Sequence, residues 1–172
     1  MTEPTRTRNL DIYGHGELPW SRARDLLARD SASVDLTFFL TTVHPDGRPH
    51  TAGVGALWDS EALYFTSGPG TLKSRLLATN AACSVGVRLQ GIDLTLEGSA
   101  TRVADPATVA HLAAVYHANG WPVTADGDTF TAPYSAPSAG PPPWYVYRFD
   151  LRTAFGIATA EPHGATRWDF SE

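Results

Sequence analysis

The sequence lacks most of what announces a function. It holds one cysteine, Cys83, so it forms no internal disulfide and no Cys-rich metal site. Cys83 follows Ala81-Ala82 in a predicted strand and reads as a buried, inert thiol. Lys73 is the only lysine, and the arginines are scattered. With a net charge of −5 and no basic run, the chain carries no mark of a nucleic-acid partner or of binding to an anionic membrane surface. No stretch approaches the ~20 apolar residues of a membrane span, and Met1-Thr2-Glu3-Pro4-Thr5-Arg6 has no signal-peptide core. These absences fit a reducing, cytoplasmic location. Ser-His-Asp, Cys-His and HExxH sets are missing, as are GxGxxG and Walker loops. His111 and His117 stand six apart on a helix, off one ligand face, so no metal site is expected.

What is present suits one domain of 172 residues. Residues 1–17 are polar and expected to be loose. A helix is expected from Pro19, at N1, to about Asp30, with Ala23, Leu26 and Leu27 on its apolar face. Strands are expected over Asp35 to Val43, Arg48 to Trp58, Ala62 to Thr66, Cys83 to Leu89 and Ile92 to Val103. Gly53 and Gly55 suggest a bulge within the second of these, or a close backbone approach to another group. Asp105-Pro106 opens a further helix that Asn119-Gly120 closes. Residues 121–143 read as a long Pro/Gly/Ser-rich loop, packed down by Trp121, Phe130 and Tyr134. Trp144 to Thr159 is a long strand or bent pair, and residues 164–170 are a final one. Short turns and segregated helices predict an α+β fold, mostly antiparallel, as a closed or split β-barrel with peripheral helices.

One stretch organises the rest. Tyr64-Phe65-Thr66-Ser67 runs through Gly68-Pro69-Gly70 into a helix with Thr71 as N-cap, ending near Asn80. Lys73 and Arg75 lie in the first turn, where they oppose the helix dipole unless an anion sits between them and the backbone N–H groups. Lys73 is expected to be exposed when no anion is bound. A phosphate-type anion site, nearby strand glycines and surplus aromatics are parts for holding a phosphorylated planar ligand, and such a ligand would itself do the chemistry.

Phe65-Thr66, Thr71-Leu72-Lys73-Ser74-Arg75 and Asn80 resemble the F-x-T…S-R-K-x-x-N-L…N-P segment of the pyridoxamine 5′-phosphate oxidase-like flavin-binding split barrels. The hairpin from His44 to Trp58, the strand Leu96-Glu97-Gly98-Ser99-Ala100 and the ending Ala165-Thr166-Arg167-Trp168-Asp169-Phe170 resemble the same family in order and spacing. The resemblance implies a homodimer with FMN or F420 across the subunit interface, and two-electron chemistry on a small organic substrate. It makes residues 18–172 the flavin-binding domain, behind a flexible segment 1–17. The implied cofactor-binding residues are His50, Thr51, Ala52, Gly53 and Val54 along the ring, Thr66, Thr71, Lys73, Ser74 and Arg75 around the phosphate, and Arg167 and Trp168 near the C-terminus. No catalytic residue is implied. The family's arginine is Leu72 here, and the R-L-x-P-type ending of true pyridoxamine phosphate oxidases is absent. A non-enzymatic flavin carrier or sensor, and an authentic pyridoxamine phosphate oxidase, are the alternatives.

Overall fold

The structure, a computed structural model, describes residues 3–33 and 35–170. The elements in chain order are β1 (Arg6–Asn9), α1 (Trp20–Asp30), β2 (Phe38–Val43), β3 (Pro49–Val54), β4 (Ala56–Asp59), β5 (Ala62–Ser67), α2 (Leu72–Thr79), β6 (Ala82–Leu89), β7 (Ile92–Arg102), α3 (Pro106–Ala118), β8 (Thr124–Asp126), β9 (Thr129–Thr131), β10 (Trp144–Ala158) and β11 (Ala165–Asp169). All strand pairs are antiparallel. The main path runs β1-β11-β10-β7-β6-β2-β3. This is the α+β split-barrel architecture expected from the pattern.

β10 is the hub. One edge pairs with β5 over Tyr145–Phe149 and then with β11 over Thr153–Ile157. The other pairs with β9 at Trp144 and Tyr145 and with β7 from Tyr147 onward. The register slips between Leu151 and Thr153, where the first edge changes partner. The extra residue bends the strand there.

Two apolar clusters fill the two sides. Phe38, Leu40, Phe65, Val85, Leu94, Phe149 and Trp168 pack inside the curled sheet, and Trp20, Ala23 and Leu27 of α1 close it. Trp20 meets Trp168 and Phe170 edge-on at 5.4 and 4.9 Å between ring centres. Tyr64, Val109, Leu112, Tyr116, Phe130 and Trp144 form the second cluster, under α3. The strict alternation of β7 follows from this burial: Ile92, Leu94 and Leu96 point inward, while Asp93, Thr95 and Glu97 point out. Cys83 is buried as expected, and burial pushes its thiol up to about 12.

Four local expectations change. The segment expected to be loose carries β1, because Arg6–Asn9 satisfies the free edge of β11. Pro19 is the N-cap of α1, one place before N1. The expected strand from Arg48 to Trp58 is two strands, with Gly55 as the corner between β3, which pairs with β2, and β4, which pairs with β5. The loop 121–143 does pack down, and it contains the β8–β9 hairpin turned by Gly127 at φ +60°.

The register also leaves no room at Gly98, where a Cβ would stand 2.1 Å from the Asp150 carbonyl oxygen. Gly98→Ala is therefore expected to destabilise by ~1–3 kcal/mol, as overpacking does. That lowers Tm by roughly 2–12 °C for a chain of this size. Calorimetry on the variant checks it, and an unchanged Tm would refute the close approach.

Candidate functional site

The last residue of β5 and the first turn of α2 make a tight polar knot. Thr71 caps α2, its Oγ1 accepting from the Ser74 N–H at 3.3 Å and donating to the Gly68 carbonyl at 2.9 Å. Ser67 Oγ lies 2.7 Å from Thr71 Oγ1. The capping hydroxyl thus holds both the Gly-Pro-Gly turn and the helix start. Arg75 is exposed and reaches back to the Gly70 carbonyl at 3.3 Å.

Lys73 does not stand in solvent as expected: it is 5% exposed. The segment Ala136–Gly140 lies over it, closed on itself by paired hydrogen bonds between Ala136 and Gly140. Trp144 Nε1 anchors the far end on the Gly140 carbonyl at 2.9 Å. Lys73 Nζ donates to the Ser138 carbonyl. Gly68 is what lets this segment approach, since a Cβ there would sit 2.2 Å from the Ala139 carbonyl oxygen. An ammonium has three donors. Among the described residues no carboxylate pairs with this one, and burial lowers its pKa below 10.5. Beside it, Ser74 Oγ is buried and faces the Tyr147 hydroxyl, and the buried Tyr134 hydroxyl makes no hydrogen bond. A buried cation and a serine hydroxyl at a helix start form a donor set that fits a phosphate.

The other predicted residues divide into groups. Thr66 is buried one step before the knot, on β5. His50, Thr51, Ala52, Gly53 and Val54 lie on β3, the end strand of the main path. Thr51 shares a hydrogen bond with Thr41 at 2.8 Å, and the half-buried His50 ring stands 6.2 Å from His44. Gly53, Phe39, Gly86, Thr95, Phe155 and Arg167 follow one another across six strands by register, so they share the outer face of the sheet. Arg167 bridges to Asp169 at 2.7 Å and covers the Phe155 ring. Phe39 and Ile157 are 55% and 59% exposed on that face. Trp168 points the other way, fully buried, with its indole N–H on the Leu18 carbonyl at 3.1 Å. Its ring serves the core and has no surface for a ligand.

Sequence reasoning missed Ser67 and Ser138. The only signal for Ser138 was its place in a loop too long to be idle. Between that loop, the end of α1 and Gly55 lies a cavity of about 240 Å³ that Thr66 also lines.

The family model described as pyridoxamine 5′-phosphate oxidase matches residues 28–140. A solved F420 reductase is 22% identical, with 76% of this chain and 94% of that one covered and a TM-score of 0.53. An FMN-binding, pyridoxamine 5′-phosphate oxidase-related protein from Nostoc punctiforme is 18% identical, with 87% and 90% covered and a TM-score of 0.57. A conserved hypothetical protein from Mycobacterium tuberculosis is 14% identical, with 92% and 89% covered and a TM-score of 0.56. At these identities the likeness to solved structures establishes the fold. No curated protein sequence matches the chain significantly.

The burial of Lys73 has a measurable sign. The unfolded chain keeps this proton to higher pH than the folded one, so unfolding takes up a proton between the lowered pKa and 10.5. Stability from this group therefore rises with pH across that window. Cys83 acts oppositely above its ordinary 9.0, because burial raises it. A difference measurement isolates the lysine. Lys73→Met is expected to be neutral or stabilising near pH 7 without ligand, and wild type should gain on it as pH approaches 10.5. Urea midpoints of both proteins across that range check this. A constant difference would mean that Lys73 titrates as an exposed lysine.

Proposed function

We propose a flavin- or deazaflavin-binding oxidoreductase acting on a small organic substrate, from the premise that this chain belongs to the pyridoxamine 5′-phosphate oxidase family. The observation that carries the reading is the buried Lys73 ammonium with one carbonyl acceptor and no carboxylate among the described residues, at a helix start. A buried cation needs a counter-charge or loses its proton. A cofactor phosphate held by Lys73 and Ser74, with the α2 N–H groups set by Thr71 and with Arg75 on the solvent side, supplies one. The phosphate oxygen would take the place of the Ser138 carbonyl.

The names of the solved relatives, an F420 reductase and an FMN-binding protein, support both cofactors. The net charge of −5 and the apolar Leu72 favour FMN, which lacks the acidic tail of F420. The bound ring would supply the two-electron chemistry. The chain's part is to hold the phosphate, present the β3 backbone from His50 to Val54 to the ring, and exclude water. Among the described residues no helix is long and apolar enough to cross a membrane.

The outer face supports a homodimer. Phe39, Phe155 and Ile157 expose apolar surface there, the glycines at 53 and 86 keep it flat, and Arg167 lies at its margin. A second copy covering this face by a twofold axis would give two equivalent sites.

Titrating the apo-protein with FMN and with F420 tests the cofactor reading. Lys73→Ala is expected to weaken whichever binds by roughly 1.5–3 kcal/mol, the range for a hydrogen bond to a charged group, or about 10- to 150-fold in Kd. Unchanged affinity would remove the phosphate assignment, and no binding of either at micromolar levels would remove the flavin. Turnover with the reduced cofactor separates an enzyme from a carrier. For assembly, Phe39→Asp is expected to convert a dimer to a folded monomer by light scattering. A wild-type monomer at micromolar concentration with cofactor present would count against the dimer.

A further inference from the structure

The cavity of about 240 Å³ beside the phosphate knot has a chemistry of its own. Its wall includes Ser31, Leu36, Thr66, Tyr116, Trp121 and Ser138, and no Asp, Glu, Lys, Arg or His contributes to it. Its floor, Ser31 to Ser33, is where α1 ends, and the carbonyl end of a helix carries partial negative charge. Asp30 and Asp35 flank that stretch in the chain. A carboxylate or phosphate entering here would leave water for a wall with no cation and a repelling dipole, with the Lys73 ammonium turned to the Ser138 carbonyl behind that wall. An ammonium would find no carboxylate on the wall.

The wall nonetheless offers directional contacts. Ser31 and Ser33 are engaged, Ser31 Oγ accepting from the Trp58 N–H at 2.7 Å and Ser33 Oγ from the Asp35 N–H at 3.3 Å. The Thr66 and Ser138 hydroxyls have no protein partner among the described residues. Trp121 is half-buried and held by the Tyr116 and Trp144 rings at 5.2 and 5.4 Å. Held aromatic walls favour flat ligands. The volume corresponds to roughly eight waters at about 30 Å³ each, and it lies just under the ~300–1,000 Å³ of drug-sized sites.

We propose that this cavity binds an uncharged molecule of one or two fused rings bearing a hydroxyl or carbonyl that meets Thr66. As a binding site it stands without the cofactor reading; as the substrate pocket of an oxidoreductase it rests on that reading. Thr66 and Ser138 join the two regions, since Thr66 directly precedes the Ser67–Thr71 knot and the Ser138 carbonyl meets Lys73. A substrate in the cavity would therefore lie beside the cofactor phosphate and β3.

Ligand-observed NMR titrations of the apo-protein with 2-naphthol and 2-naphthoate test the proposal, because the two probes share a ring and differ in charge. Naphthol is expected to bind at least about tenfold tighter, reflecting the uncompensated burial of the carboxylate. Thr66→Val keeps the shape and removes the hydroxyl, and is expected to weaken naphthol about three- to tenfold. Trp121→Leu, which removes the aromatic wall, should weaken it as well. Equal or tighter naphthoate binding, naphthol affinity unchanged in Thr66→Val, or no naphthol binding at millimolar levels would each overturn the proposal. FMN and F420 titrations of the wild-type protein report on the cofactor alone, so the two readings fail separately.

Discussion

The structure depends on how β10 satisfies its backbone. A buried strand must pair the N–H and C=O groups of both edges, because each unpaired group costs free energy comparable to a lost hydrogen bond. Over Trp144–Ala158 this strand has β5 then β11 on one edge and β9 then β7 on the other, with the register slip where the first edge changes hands. Everything near the candidate site hangs from that arrangement. Pairing Tyr145 with Ser67 fixes the end of β5, and so the turn that starts α2. Trp144, at the strand's first residue, ties down Gly140 and the segment that crosses Lys73. Pairing Phe155 with Arg167 carries the C-terminal arginine onto the outer face.

Electrostatics at α2 runs against the usual preference. Cations are favoured at the carbonyl end of a helix and acids at the N–H end. Here the first turn holds Lys73 and no acid. The protein keeps the ammonium out of water by laying a backbone carbonyl on it, which is a weak substitute for an anion. The Ala136–Gly140 segment covers Lys73 with a neutral carbonyl, whereas an ion pair with a resident carboxylate would compete with any incoming phosphate. The cavity next door has the opposite character, neutral walls at the carbonyl end of α1. The two regions meet at Thr66 and Ser138, one holding a buried ammonium and the other uncharged walls.

The sheet's two faces likewise have different tasks. The inner face is filled to the point that Gly156 is required, since a Cβ there would meet Trp168 at 2.6 Å. The outer face leaves Phe39 and Ile157 largely exposed and carries Gly53 and Gly86 between them and their neighbours. Apolar side chains gathered on an exposed flat face suit a surface against which another packs.

Periodicity and punctuation were enough to read the helices, most strands, the Thr71 and Asp105 caps and the α+β class, because these are local: alternation, N-cap hydroxyls and Gly turns act over a few residues. The anion-favouring first turn at Lys73 was legible for the same reason. Long-range packing decided the rest. Gly55 as a corner, β1 on the edge of β11 and the short β8–β9 hairpin follow from which edges need partners, and no window of sequence contains that information. Trp168 and Arg167 are chain neighbours, yet the pleat sends one ring into the core and one guanidinium outward. Whether Lys73 is exposed depends on a segment some sixty residues away lying across it. The sequence by itself determined the local geometry that favours an anion, because caps and dipoles are short-range; only the tertiary structure decided what covers that site and which cavity adjoins it, because burial and edge pairing are properties of the whole sheet.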